Sequence, residues 1–362
     1  MKIVLAGGGT AGHTSPLIAT AQQLRRLDPD ADLLCIGTPK GLESQVIPEA
    51  GLPLAMIPPV PLPRRLTPEL FAVPGRLWSA VGQARTILRD HGAQVVVGFG
   101  GYVSLPVYLA ARRAGLPLVL HEQNAVPGLA NKVAARFARH VAVRFADTAL
   151  PHAEFVGLPV REAIAGLDRT TARPAARARF GIANDLPVLL VSGGSQGARS
   201  INLALADALD DLLAAGVNVL HVLGPRNVTD QTVPRTNPAT GAGYYPLAYV
   251  DAMQDAYAAA DLMVGRSGAG TVMETAMVGL PTVFVPLPHG NGEQERNARF
   301  LVETGAGVLI RDADLTAPAL TAAVLGLIGD PDRLAAMSAG CRELVPSGAA
   351  EALAKLVLQA GA

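Results

Sequence analysis

Short apolar runs recur along the chain, each followed by a stretch of helical periodicity. In the first half they predict strands at 2–6, 32–36, 54–57, 94–98, 116–121, 140–143 and 154–156. Helices are expected between them, for example over 16–27 and 129–137. From 160 to 186 the pattern lapses, and the basic stretch 169–179 reads as a linker plus a short surface helix with a solvated face. The alternation then restarts, with strands expected at 187–191, 217–223, 244–248, 261–264, 282–285 and 307–309. An alanine- and leucine-rich helix over 343–359 closes the chain. Strands apolar throughout, alternating with helices, indicate parallel sheets covered on both faces. No short-period repeat accompanies this; the two halves resemble each other in architecture.

Two strand-turn-helix openings with glycine-rich turns organise the halves. One is Ile3-Val4-Leu5-Ala6-Gly7-Gly8-Gly9-Thr10-Ala11-Gly12-His13, the other Val188-Leu189-Leu190-Val191-Ser192-Gly193-Gly194-Ser195-Gln196-Gly197-Ala198-Arg199. Their placement predicts an α/β protein of two doubly wound, Rossmann-like domains facing each other across a cleft. A length of 362 residues allows each domain its own core. With 50% hydrophobic and 17% charged residues the chain is not disordered. Thirty basic and 30 acidic residues balance, so no global charge favours nucleic acid. Cys35 and Cys341 form neither a disulfide framework nor a metal spacing, as expected in a reducing compartment. Met1-Lys2 runs straight into the first strand, and no apolar run is long enough to span a bilayer, so a cytoplasmic location is expected.

In open α/β sheets ligands bind beyond the carboxyl ends of the strands. Four loops qualify. The first, 7–13, offers amides and a helix dipole to an anion, with His13 at its mouth as a possible proton acceptor or as a helix-start histidine bonded to backbone. The second, Val97-Gly98-Phe99-Gly100-Gly101-Tyr102, suits another anion or close strand-helix packing. The third, 193–199, lacks the glycine spacing and distal acid of a dinucleotide fingerprint, which argues against NAD. The fourth, Arg266-Ser267-Gly268-Ala269-Gly270-Thr271-Val272-Met273-Glu274, offers free amides to phosphate and the Glu274 carboxylate to ribose hydroxyls. The polar loop His289-Gly290-Asn291-Gly292-Glu293-Gln294 follows, suited to a sugar. No metal and no cofactor are expected: Asp28-Pro29-Asp30 lies at the wrong sheet edge, and Asp312-Ala313-Asp314 reads as a helix N-cap.

The stretch 62–78 sets Leu66, Leu70, Leu77 and Trp78 near helical spacing, broken by Pro74-Gly75. Arg64, Arg65 and Arg76 lie alongside, a composition suited to an anionic bilayer surface or to a core-facing helix.

The series Gly8-Gly9-Thr10-Ala11-Gly12-His13, Gly98-Phe99-Gly100-Gly101-Tyr102, His121-Glu122-Gln123-Asn124, Gly157-Leu158-Pro159-Val160-Arg161, Gly193-Gly194-Ser195-Gln196-Gly197-Ala198 and Arg266-Ser267-Gly268-Ala269 resembles the MurG family of peptidoglycan N-acetylglucosaminyltransferases nearly end to end. The resemblance implies a GT-B fold and inverting, metal-free transfer of GlcNAc from UDP-GlcNAc to the C4 hydroxyl of lipid I, undecaprenyl-diphospho-MurNAc-pentapeptide. The product would be lipid II for cell-wall synthesis, made at the cytoplasmic membrane face by a peripheral protein. It implies an acceptor- and membrane-side domain over 1–160 with a returning segment 343–362, and a UDP-GlcNAc domain over 161–342. UDP-GlcNAc contacts would come from Thr10, Ala11, Gly12, Asn124, Arg161, Ser195, Val250, Ala269, Gly270, Thr271, Glu274 and Gln294. Gly100, Gly101 and Tyr102 would cradle the acceptor diphosphate. Lipid contact would fall to Leu66, Leu70, Phe71, Leu77, Trp78, Arg64 and Arg65. Ala11 departs from the glycine common in the family, and 290–293 is a looser loop than in some relatives.

An inverting displacement needs a base at the acceptor hydroxyl and dipolar or cationic support for the departing diphosphate. His13 is the expected base and Glu122 the alternative; helix 270–277 and Arg161 would serve the leaving group. A nucleotide-sugar epimerase and a membrane-recruited scaffold are the rivals, disfavoured by the acceptor-side glycine loop and by an otherwise idle His13.

Overall fold

The structure, a computed structural model, describes residues 1–39, 41–60, 73–194, 197–230, 232–289, 292–345 and 347–362. It divides into two compact units, Met1–Arg161 with Gly348–Ala362, and Glu162–Ser347.

The first unit runs β1 (Lys2–Ala6), α1 (Ala11–Leu27), β2 (Asp32–Gly37), α2 (Glu43–Glu49), β3 (Leu54–Met56), α3 (Val73–His91), β4 (Val95–Gly98), α4 (Ser104–Arg113), β5 (Leu118–Glu122), α5 (Leu129–Ala134), β6 (His140–Val143) and β7 (Ala153–Phe155). Its strands form one parallel sheet in the order β3-β2-β1-β4-β5-β6-β7. The order reverses direction between β1 and β4, where Ala6 pairs with Gly98. At such a switch point the two following loops diverge to opposite faces and leave a crevice.

The second unit runs α6 (Glu162–Ala165), α7 (Arg169–Arg179), β8 (Val188–Ser192), α8 (Arg199–Ala214), β9 (Asn218–Val222), β10 (Arg235–Thr236), β11 (Gly243–Leu247), α9 (Met253–Ala259), β12 (Leu262–Gly265), α10 (Ala269–Met277), β13 (Thr282–Phe284), α11 (Glu293–Glu303), β14 (Gly307–Leu309), α12 (Ala317–Ile328) and α13 (Pro331–Glu343). Its sheet order is β10-β11-β9-β8-β12-β13-β14, parallel except for the edge strand β10. Here the reversal lies between β8 and β12.

The final helix α14 (Ala349–Gly361) belongs to the first unit. Leu353, Ala354, Val357 and Ala360 recur on one face and enter the core of β1, β4 and α1. Glu343, expected to begin this returning segment, instead ends α13 in the second unit. The crossing is made at Gly348, whose φ of +86° a side chain would strain.

Three further expectations change. α1 starts at Ala11, inside the glycine turn, because the His13 and Thr14 amides already bond to the Thr10 carbonyl. Pro16, which marks a helix start in sequence, lies within the helix instead. The short exposed strand β10 carries too few residues to show a period and was not expected.

The basic helix α7 is the third. Its residues Arg169, Arg173 and Arg177, one helical row, face the protein rather than solvent. The Arg169 guanidinium donates to the carbonyls of Tyr257, Gly279 and Ala260. Arg173 and Arg177 meet the Asp261 carboxylate at 2.5 and 2.9 Å, and that carboxylate also accepts from the Val188 amide at 2.8 Å. Asp261→Ala strands two partly enclosed guanidinium groups and is expected to destabilise the second unit by about 2–4 kcal/mol. Calorimetry reads this directly; an unchanged transition would mean the cluster is solvated after all.

Candidate active site

The two glycine turns of the first unit lie in contact. Gly101 has φ of +91°, and a Cβ placed there would stand 2.2 Å from the Gly8 carbonyl oxygen. Gly100, at φ +84°, lies beside the imidazole of His13, and the Tyr102 ring flanks Gly9. The Ser104 hydroxyl lies 2.6 Å from the Gly100 carbonyl and 3.2 Å from that of Ala6, which ties the second turn to the end of β1. Sequence therefore named residues that the fold does bring together: Thr10, Gly12, His13, Gly100, Gly101 and Tyr102. Thr10 takes the N-cap position of α1, yet its side chain caps no amide.

Beneath the first turn sits Glu43, fully buried at the start of α2. Its carboxylate accepts from the Gly9 amide at 2.7 Å, the Thr38 amide at 3.0 Å and the Thr38 hydroxyl at 2.7 Å. A Cβ at Gly8 would meet its Oε1 at 2.4 Å, so any side chain there would displace this buried carboxylate from its donors. The sequence reading missed Glu43. The clue was its position just past the carboxyl end of β2, the neighbour of β1.

Beneath the second turn a buried polar chain runs from Gly100 to Glu122. The Gly100 amide donates to the Tyr108 hydroxyl, and that hydroxyl to Asn131 Oδ1, both at 3.0 Å. Asn131 Nδ2 then donates to Glu122 Oε2 at 3.0 Å. Glu122 also accepts from the Asn124 and Gly128 amides, each at 2.9 Å. Burial raises the Glu122 pKa, while these donors pull it back down. With both oxygens engaged internally, Glu122 is an anchor for the β5–α5 loop that presents Asn124. As a proton acceptor it is badly placed.

His13 is half-buried in the first turn of α1. Burial lowers its pKa below the ordinary 6.5, while the Phe99 backbone and the Glu43 charge act the other way. A neutral imidazole therefore prevails at neutral pH, with a carboxylate nearby to favour the imidazolium once a proton arrives. Gln123 reaches Nδ1 of the ring.

In the second unit the fourth loop has the expected character. α10 begins at Ala269 with Gly268 as an extended N-cap and no side-chain cap, so the first amides at Ala269, Gly270 and Thr271 lack that partner. Such a terminus suits a phosphate group. One turn on, Glu274 accepts from the Tyr257 hydroxyl at 2.8 Å, which orients its carboxylate. Gln294, in the first turn of α11, accepts from the Leu287 amide at 3.0 Å. Val250 is buried in the loop between β11 and α9.

Other expectations move. Arg266 is spoken for by Asp312 at 2.5 Å, Ser200 at 2.8 Å and the carbonyls of Val285 and Pro286. Asp312 is thus an ion-pair partner, not a helix cap; Thr316 caps α12. Gly193 and Gly197 are required by backbone packing, since a Cβ would stand 2.2 Å from the Ala198 amide and 2.0 Å from the Leu223 carbonyl oxygen respectively. Arg161 groups with the first unit rather than the second. Ser195 lies outside the described residues, as do Arg64, Arg65, Leu66, Leu70 and Phe71. Leu77 packs against Val60, Val73 and Ala80, whereas Trp78 is 66% exposed with the Arg113 guanidinium 4.0 Å above its ring. Pro74-Gly75 does not break the helix: both sit in the first turn of α3, where proline is tolerated.

Two parallel sheets, each with a glycine turn at its switch point, are the architecture of GT-B glycosyltransferases. The crystal structure of Acinetobacter baumannii MurG matches over 99% of both chains at a TM-score of 0.74 and 28% identity. A kitacinnamycin glycosyltransferase matches in fold at a TM-score of 0.70 and 18% identity, over 100% of this chain and 99% of its own. The chain belongs to glycosyltransferase family 28, and within it to the MurG family. Residues 3–143 match the family 28 N-terminal domain and residues 188–353 its C-terminal domain. A protein of Cutibacterium acnes is 58% identical over 99% of this chain and 97% of its own. One from a Nocardioides strain is 55% identical over 100% and 98%. Both are named as the UDP-N-acetylglucosamine–N-acetylmuramyl-(pentapeptide) pyrophosphoryl-undecaprenol N-acetylglucosamine transferase.

Proposed function

We propose that this protein transfers GlcNAc from UDP-GlcNAc to the C4 hydroxyl of lipid I, inverting the anomeric centre and giving lipid II for peptidoglycan synthesis. The observation that carries the mechanism is His13, held in the first turn of α1 against the Gly100-Gly101 turn with a lowered pKa. The acceptor diphosphate is assigned to Gly100, Gly101 and Tyr102, with the Gly101 amide as donor because that of Gly100 is given to the Tyr108 hydroxyl. The nucleotide is assigned to the second unit, with Val250 backbone at uracil, the α10 terminus (Ala269, Gly270, Thr271) at phosphate and Glu274 at ribose. Thr10, Ala11, Gly12, Asn124, Arg161, Ser195 and Gln294 are assigned to the nucleotide-sugar. The C4 oxygen attacks C1, its proton passes to His13, and the C1–O bond to UDP breaks with the electron pair leaving on the diphosphate. The α10 dipole, with Arg161, stabilises that charge. The residues present offer proton acceptor and anion donors from the protein itself, so no metal or cofactor is invoked.

The protein is read as a peripheral enzyme of the cytoplasmic membrane face. The support is the exposed Trp78, with the Arg113 guanidinium over its ring, on the first unit. Among the described residues no helix is long and apolar enough to cross a membrane.

Purified protein with labelled UDP-GlcNAc and lipid I in detergent is expected to yield labelled lipid II with or without EDTA. The pH profile follows from the sign of the His13 shift. A base with a pKa below 6.5 is already neutral at and above neutrality, so kcat/KM stays flat there and falls only on the acid side. Release of free UDP or an epimerised nucleotide without labelled lipid would overturn the acceptor assignment. A rate that declines already through neutrality would overturn the base.

A further inference from the structure

His121 and Gln123 flank Glu122 at the end of β5, and both side chains are buried. His121 Nε2 lies 2.8 Å from the Gly157 carbonyl oxygen. A carbonyl only accepts, so Nε2 carries the hydrogen. Burial holds the His121 pKa at about 4, so the ring is neutral and its Nδ1 presents a lone pair. Gln123 touches both imidazoles, one at each end of its amide. With the amide nitrogen turned to His13, two enclosed acceptors, His121 Nδ1 and Gln123 Oε1, are left without any partner. The two ends of an amide are alike in shape, and hydrogen bonding decides between them. Turning the amide over removes both orphans together: Gln123 Nε2 donates to His121 Nδ1, and Oε1 accepts from Nδ1–H of His13.

We propose that Gly157, His121 and Gln123 form a relay that fixes His13 in its Nδ1–H tautomer, so that Nε2 is the nitrogen that takes the acceptor proton. Gln123 and His121 are thus positioning residues, and the inference rests on the reading of His13 as base. The relay has the logic of a triad without a carboxylate in line: a neutral amide sets tautomer and ring orientation but adds no charge. Other groups act on the two rings as well, the Phe99 backbone and the Glu43 charge on His13 and the Arg144 charge on His121.

The test is the ring-nitrogen spectrum of 15N-histidine-labelled protein, with His13 assigned by its loss in His13→Ala. His13 is expected to show a protonated Nδ1 and a lone-pair Nε2. Gln123→Glu keeps the acceptor for Nδ1–H and adds a charge, so the tautomer persists and the acid limb of kcat/KM moves to higher pH. Gln123→Leu is expected to mix the tautomers and to lower kcat about tenfold or more at an unchanged KM for UDP-GlcNAc. A lone-pair Nδ1 on His13 in the unaltered protein would overturn the relay whatever the kinetics. The expected tautomer together with a fully active His13→Ala would instead sink the base assignment and leave the relay standing.

Discussion

His13→Ala lowers kcat about 10²- to 10⁴-fold while UDP-GlcNAc binding stays within about twofold, the pattern of a lost general base rather than a damaged site. The split is expected because His13 stands in the first unit, whereas the α10 terminus and Glu274 assigned to the nucleotide stand in the second. Loss of the ring also leaves the fold intact. His13 is half-buried, and its truncation removes ring contacts without adding bulk to the turn. Turnover with lipid I and nucleotide binding by calorimetry are the paired measurements, and equal losses in both would remove His13 from the proton transfer. Glu122→Gln gives the complementary result. It keeps one oxygen for the loop amides but places a donor where a second acceptor stood, so the Asn124 loop loosens and binding suffers alongside turnover.

The strands, the two parallel-sheet domains and the glycine turns were legible because each rests on local pattern. Buried parallel strands leave apolar runs, and a helix that opens on glycine leaves its amides available. What escaped was long-range. Glu43 lies 34 residues from the Gly9 amide it accepts from, and no periodicity ties the two. Asp261 gathers Arg173 and Arg177 from more than 80 residues away, which turned an apparently solvated basic run into a partly enclosed, ion-paired face. Asp312 likewise looked like a cap because the partner that claims it, Arg266, is 46 residues off. Gln123 sat within a recognised motif, yet its part emerges only when two histidines and one amide are counted together. In each case a polar side chain found its partner through tertiary folding, and sequence displays the group without the partner.

Gly101→Ala tests the other half of the site, the lock between the two turns. The added methyl would stand 2.2 Å from the Gly8 carbonyl oxygen and 3.2 Å from its carbon, both backbone atoms that no rotamer change can move. Movement of Gly8 is resisted by the buried Glu43 carboxylate packed against it, itself held by Gly9 and Thr38. The backbone at position 101 adds its own strain, with φ of +91°. Overpacking and left-handed strain together predict a loss of about 2–6 kcal/mol in the first unit. Gly9→Ala is the control: φ there is +93°, but the nearest atom to a Cβ is a Tyr102 ring carbon at 3.9 Å, so only the backbone strain of about 1–3 kcal/mol applies. Trp78, the sole tryptophan of the chain, lies on α3 in the first unit, so its fluorescence during urea unfolding reports on that unit. Equal stability of the two variants would mean that the turns are not locked against each other. The expected gap between them, with turnover falling furthest in Gly101→Ala, would make the turn proposed for the diphosphate and the setting of His13 one mechanical unit.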